Sequence, residues 1–315
     1  MNLTINSGKQ TRAIKTVIYG TEGVGKSTLA SQFPSPLFID VEGGTDQMDV
    51  RRIETPKTWT DLVAIVNEVA KNPGICETLI LDTADWAESM CVSHILKKYN
   101  QKSIESFGYG KGYTMLGEEW MNLMGAFDAV KDAGMHVTII AHAKQRKIEL
   151  PDQAGAFDHW EMKVSKQVAP LLKEWADILL FLNYKTFVVT TESNSHKAQG
   201  GKRVMFTSHN PVYDAKNRHG LPDELPLSFE PIAFIYTGQQ KEQKEKQLTP
   251  HEHLAELMAE AGIEEYELRD FIVSRGKQSA ETPVSEYPEE FVKGYCLKYW
   301  AKIESSIKEM KENEK

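Results

Sequence analysis

The sequence predicts an α/β fold: a mostly parallel sheet flanked by helices, with an appended hairpin, followed by a small helical domain. Three observations predict it. Short apolar runs alternate with helical patterns through residues 1–238, the pattern of strands joined by crossover helices. The runs lack strict polar alternation, as expected of strands buried on both faces. A charged stretch without apolar residues, QQKEQKEKQ at 239–247, then separates them from residues 248–315, whose periodicity is helical throughout. This gives three parts: a core at 1–238, a linker at 239–247 and a C-terminal domain at 248–315.

The elements follow in order. Strands are read at 15–19, 37–41, 78–81, 136–141 and 178–182, all rich in Val, Ile, Leu or Phe. Between them, Leu62, Ile65, Val66 and Val69 mark a helix at 61–71. Further helices are read at 86–99 and 115–131, the second through Leu116, Trp120, Leu123 and Phe127. That spacing lines one helical face with core residues. Strands at 187–191 and 203–207 form the hairpin, joined by a polar loop through Asn194, Gly200 and Gly201. In the C-terminal domain Leu254, Leu257, Phe271, Ile272, Tyr287, Phe291, Tyr295 and Trp300 are expected to form the core rather than a binding stripe.

Composition narrows the function classes. Of 315 residues, 41% are hydrophobic and 26% charged, which is globular. The longest apolar runs are too short to cross a membrane, and the polar start, residues 1–11, reads as no signal peptide. Three unevenly spaced cysteines, Cys76, Cys91 and Cys296, give neither a disulfide framework nor a cysteine zinc site. A reducing cytoplasm is the expected compartment. The net charge of −8 argues against a uniformly basic surface and leaves room for a local basic groove.

The decisive segment is Gly20-Thr21-Glu22-Gly23-Val24-Gly25-Lys26-Ser27, a full match to G-x-x-x-x-G-K-[ST]. An apolar run precedes it, and Thr28 opens a helical pattern after it, the context the motif requires. Glycines let the backbone curl so that consecutive N–H groups form a nest for phosphate oxygens. Lys26 then supplies a mobile charge to the β- and γ-phosphates, and the Ser27 hydroxyl ligates Mg²⁺. Residues 20–28 are thus expected to bind ATP, with no role assigned to the Glu22 side chain. The run Thr78-Leu79-Ile80-Leu81 delivers Asp82 to the carboxyl edge of the sheet as the magnesium-side carboxylate. Asp82 and Asp85 are alternatively readable as helix N-caps. A carboxylate must also accept a proton from the attacking water. Asp40 and Glu42, at the end of the next strand, compete for that role.

At this point the sequence resembles the RecA-like branch of the phosphate-loop ATPases. Phe38-Ile39-Asp40-Val41-Glu42 is similar to the RecA segment carrying its catalytic glutamate, which favours Glu42. The run 137–144 ends in Ala141-His142-Ala143-Lys144, and the resemblance implies that His142 senses the γ-phosphate, where RecA has Gln. Lys216 and Arg218 resemble the Lys-x-Arg pair that acts on a neighbouring subunit's nucleotide. A narrower resemblance is to the phage RecA-like ATPases of the Sak group, single-strand-annealing recombination proteins. It rests on the loop, residues 40–44, Leu81-Asp82-Thr83, the aromatic-glycine stretch 106–113, residues 141–144 and residues 214–218.

The resemblance implies an ATP-hydrolysing recombinase that binds single-stranded DNA and self-associates as a filament or ring. Its active sites would lie between protomers, in a host cytoplasm. A single-strand-binding protein is a further candidate partner. Two segments carry the DNA expectation. One contains Lys102, Phe107, Tyr109 and Lys111; interleaved base-stacking rings and cations suit single strands. The other is the loop expected after the sensor strand, with Lys144, Arg146 and Lys147. A translocase or helicase and a nucleotide-gated scaffold with little turnover are the alternative readings.

Overall fold

The computed structural model of the protein describes residues 12–149, 155–190, 196–237 and 249–313. The chain divides into two compact units, Met1–Gln240 and Lys241–Lys315. The charged stretch at 239–247 and the hairpin tip around Asn194 lie outside the described residues.

The first unit is built on β1 (Lys15–Gly20), β2 (Pro36–Asp40), β3 (Arg52–Ile53), β4 (Thr78–Asp82), β5 (His136–Glu149), β6 (Ala156–Met162), β7 (Ile178–Thr190), β8 (His196–Phe206) and β9 (Glu224–Pro226). Among the described residues these form one sheet in the order β3-β2-β4-β5-β1-β7-β8-β9, with β6 pairing β5 outside that path. The pairs from β3 to β7 are parallel; β5–β6, β7–β8 and β8–β9 are antiparallel. This is the expected α/β architecture, a mostly parallel sheet flanked by helices.

Both faces are covered, which explains the continuous apolar runs. Val17, Tyr19, Ile39, Leu79, Leu81, Val137 and Ile139 pack toward α2 (Trp59–Lys71), α3 (Ala84–Lys98), α4 (Lys111–Asp132) and α5 (Val168–Trp175). The alternate residues Ile18, Phe38, Ile80 and Ile140 pack on the other face against α1 (Lys26–Ala30) and Tyr236 of α6 (Ala233–Thr237). A capping box starts α2: Thr58 Oγ1 accepts from Asp61 N at 3.2 Å and Asp61 Oδ2 accepts from Thr58 N at 3.0 Å. Such a cap contributes about 1 kcal/mol.

The structure departs from the sequence expectation at several points. The apolar run at 178–182 and the described part of the run at 187–191, residues 187–190, are one strand, β7, which leaves the parallel sheet to pair with β8. Gly201, read as a loop residue, is a bulge: Lys185 faces Lys202, Thr186 faces Gly200, and Gly201 between them has φ 126°. Only glycine takes that angle without strain. The loop expected after 141 is a hairpin in which β5 continues to Glu149 against β6. Its alternating polar residues are ladder partners, a signal masked by their charge. α4 begins at Lys111, so Lys111 and Tyr113 are helical. β3 and β9 are too short to leave a sequence pattern.

The second unit contains α7 (Pro250–Ala261), α8 (Glu265–Ser274), the short α9 (Glu289–Phe291) running into a π-helical stretch at Val292–Leu297, and α10 (Trp300–Asn313). Leu254, Leu268, Ile272, Val292, Cys296 and Ile303 form its core, with Tyr287 and Trp300. Phe291 and Tyr295 are partly buried against it. Among the described residues no helix is long and apolar enough to cross a membrane.

Candidate active site

The glycine-rich loop joins β1 to α1 at the carboxyl edge of the sheet. Gly20 is required by packing: a Cβ there would collide with the Leu182 carbonyl oxygen. Gly23 and Gly25, with φ 69° and 106°, curl the loop through the left-handed region. Val24 is fully buried and anchors the loop to the core. Lys26 is buried, and its Nζ donates to Gly20 O at 3.2 Å and Thr21 O at 2.9 Å. Burial lowers its pKa, against the attraction of Asp82 and Glu42. Thr28 and Glu22 are exposed; Lys163 Nζ lies 3.9 Å from Glu22 Oε1.

Strand register brings distant residues beside this loop. Gly20 of β1 faces His142 of β5, and Asp40 of β2 faces Asp82 of β4. Ser27 Oγ donates to Asp82 Oδ2 at 2.6 Å. Asp82 is buried, and burial pushes its pKa up to about 6. These residues fit a magnesium ion. A hydroxyl and a carboxylate converge, a cation relieves the cost of that buried charge, and Mg²⁺ takes few protein oxygens and fills its shell with phosphate and water. Neither Asp82 nor Asp85 caps α3: the N-cap is Thr83, which makes no side-chain cap bond.

The geometry separates the two competing carboxylates. Asp40 Oδ1 accepts from the N–H groups of Glu42, Gly43 and Gly44 at 3.1, 2.7 and 3.3 Å. Its Oδ2 accepts from Thr45 N at 2.9 Å and Thr45 Oγ1 at 2.6 Å. Burial disfavours the charge, yet these bonds outweigh it and hold the Asp40 pKa below the usual carboxylate value. Asp40 organises the turn, and the turn presents Glu42 to the site. Gly23, Gly25, Lys26, Ser27, Glu42, Asp82 and His142 all line one cavity of about 290 Å³.

One partner was missed in the sequence. Asp85 accepts from His142 N at 3.1 Å, and its Oδ2 lies 2.9 Å from His142 Nδ1. Burial opposes the Asp85 charge, but the bonds from His142 prevail and lower its pKa. His142 Nε2 faces Glu42 Oε1 at 3.8 Å. The spacing from Asp82 to Asp85 was legible, but α3 had to be packed on β5 to show what Asp85 holds. The β7–β8 hairpin also reaches the loop. Tyr184 Oη donates to Gly23 O at 3.2 Å, and Arg203 Nη1 stands 3.1 Å from the position a Cβ would take on Gly25. No local signal marks Tyr184, and the sequence offers Arg203 only as one of the basic residues that the hairpin adds to a DNA surface, with no sign that it reaches the loop.

The remaining expected residues lie apart from the cavity lining. Lys216 Nζ donates to the carbonyls of Lys173 at 2.9 Å and Glu174 at 3.5 Å in the last turn of α5, while Arg218 is exposed. Lys102 and Lys111 are exposed, and the Tyr109 ring is fully so. Phe107 instead packs edge-on against Tyr99 and onto the core. On the β5–β6 hairpin Lys144 and Arg146 approach Glu161 at 3.5 and 3.9 Å, and Lys147 pairs in register with Asp158.

The AAA domain family profile matches residues 12–219. The SPbeta prophage-derived uncharacterized protein YorG of Bacillus subtilis (strain 168) is 24% identical over 175 residues, 53% of this chain and 49% of that protein. The chain therefore spans about half the length of the curated relative it matches. Among solved structures, the KaiC-like protein PH0186 of Pyrococcus horikoshii OT3 aligns with a TM-score of 0.34 and 10% identity, over 66% of this chain and 84% of that one. With the loop, its buried lysine and the Ser27–Asp82 pair converging in a region that this profile spans, the chain belongs to the AAA domain family.

Proposed function

We propose that the protein is a phage-type, DNA-dependent ATPase of recombination, akin to the Sak group, in which ATP binding orders the surfaces that hold single-stranded DNA. One observation carries the reading. His142 faces Glu42 across the cavity, and β5 continues unbroken from His142 into the hairpin bearing Lys144, Arg146 and Lys147. A change at the γ-phosphate that moves His142 is thereby transmitted along one strand.

The chain's own residues divide the chemistry. Lys26 exchanges the Gly20 and Thr21 carbonyls for phosphate oxygens. Ser27 and Asp82 hold magnesium, which neutralises charge on the β- and γ-phosphates when bound. Glu42 accepts the proton of the attacking water, and His142, fixed by Asp85, reads the γ-phosphate. Arg218, exposed, is the group offered to a neighbouring protomer of a filament or ring; Lys216 steadies that segment by capping α5. Exposed Tyr109, with Lys102 and Lys111, suits base stacking beside phosphate neutralisation. The prophage origin of the YorG relative is in keeping with a phage role.

Single-strand binding measured against salt, with and without a slowly hydrolysed ATP analogue, tests the reading. The analogue is expected to tighten binding at least about tenfold and to steepen the salt dependence. Equal affinity in both conditions overturns it.

A further inference from the structure

The β7–β8 hairpin carries a cation to the phosphate loop that no motif requires. Tyr184 and Arg203 are register partners on the two strands. Tyr184 ties the hairpin to the loop through Gly23 O, and Arg203 Nη1 and Leu227 Cδ2 stand 3.1 and 3.3 Å from the would-be Cβ of Gly25. Gly25 is thus needed for its φ of 106° and for the space Arg203 uses. The neighbouring cations are engaged: Lys26 on loop carbonyls, Lys185 on Glu224 at 2.8 Å, Lys216 on α5 carbonyls. Arg203, exposed, makes no hydrogen bond or ion pair among the described residues. Five donors in a planar fork are held at the rim of an anion-binding loop without an acceptor.

We propose that Arg203 is a nucleotide-binding residue supplied in cis, gripping the α- and β-phosphates through its guanidinium fork. The assignment to that part of the chain follows from position. The backbone around Gly25 is where a phosphate loop cradles the α- and β-phosphates, while the lysine reaches the β- and γ-phosphates. The cation for initial binding then comes from the protein's own hairpin, and no neighbouring protomer is needed to load nucleotide. The inference rests on residues 20–27 being a triphosphate site.

The test is a fluorescence titration of the full chain with mant-ATP and mant-ADP in Mg²⁺. It uses the parent, Lys26→Ala, Arg203→Ala and Arg203→Lys, with a thermal melt of each. Arg203→Ala is expected to weaken both nucleotides by the same factor, about 10- to 100-fold, the range of a charge-assisted hydrogen bond. Arg203→Lys should fall between, and the melts should superimpose because Arg203 is exposed. Mixing Arg203→Ala with Lys26→Ala, which keeps Arg203 but lacks a binding site of its own, should not restore the affinity lost. Unchanged affinity, a loss confined to ATP, or recovery on mixing each overturns the inference. A parent that binds neither nucleotide would instead sink the reading of the loop itself.

Discussion

His136 and His142 stand at opposite ends of the parallel run of β5, and their surroundings differ in kind. At the amino edge, His136 Nδ1 accepts from Ile14 N at 2.9 Å, and its Nε2–H donates to Tyr236 O at 3.2 Å. Both nitrogens are spent on the main chain, so this histidine stitches the sheet to α6. At the carboxyl edge, His142 has one nitrogen fixed by Asp85 and the other aimed at Glu42 across the cavity. The residue type and the strand are the same, yet one ring is closed by its fold and the other is held with a nitrogen in reserve. The buried charged side chains, Lys26, Asp40 and Asp82, gather at that same carboxyl edge. In a parallel sheet that edge is where strands end in loops, so ligand chemistry collects there.

Three substitutions press on this contrast. The largest effect is expected from Glu42→Gln, which removes the proton acceptor but keeps the shape. Turnover should fall about 10³-fold while mant-ATP affinity is retained. Equal rates in mutant and parent would remove Glu42 from the chemistry. Next is His142→Asn, whose amide can still donate toward Asp85 while the outer nitrogen is lost. Steady-state ATPase assays should show a fall of about tenfold with a melt shifted by no more than about 1 kcal/mol. A large loss of stability with normal turnover would make His142 a second stitching residue and erase the contrast.

The smallest effect belongs to His136. Burial holds its pKa below the ordinary 6.5. The unfolded chain therefore takes up the proton more readily than the native one. Its contribution to stability is complete above pH 6.5 and declines as pH falls below that value. Melting temperature followed from pH 7.5 to 5.5 should show this decline in the parent. His136→Gln should flatten that part of the profile and leave turnover unchanged.

Much of the core was legible because its signals are local. A strand buried on both faces is a continuous apolar run, and a phosphate loop is eight consecutive residues whose glycines answer to backbone angles. Where signals were not local, reading along the chain failed. The charged residues after His142 looked like a loop, yet their partners, residues 156–162, make them a strand. Two glycines looked like a turn and proved to be part of a strand, one of them a bulge, because the register of β7 against β8 needs an extra residue there. The aromatic-glycine stretch looked uniform, but the fold packs a half-buried Phe107 against Tyr99 and leaves Tyr109 bare.

The sequence alone determined where the glycine-rich loop lies, which lysine and hydroxyl close it, and which strands end in carboxylates. Each depends only on neighbours within a few residues. The folded turn, also local, decided which carboxylate is spent and which is available: five hydrogen bonds from residues 42–45 close on Asp40 and leave Glu42 to the cavity. Tertiary structure decided that Asp85 holds His142 and that Arg203 overlooks Gly25. Those pairs lie far apart along the chain and meet only when strands and helices pack, and packing fixes positions that no local spacing encodes.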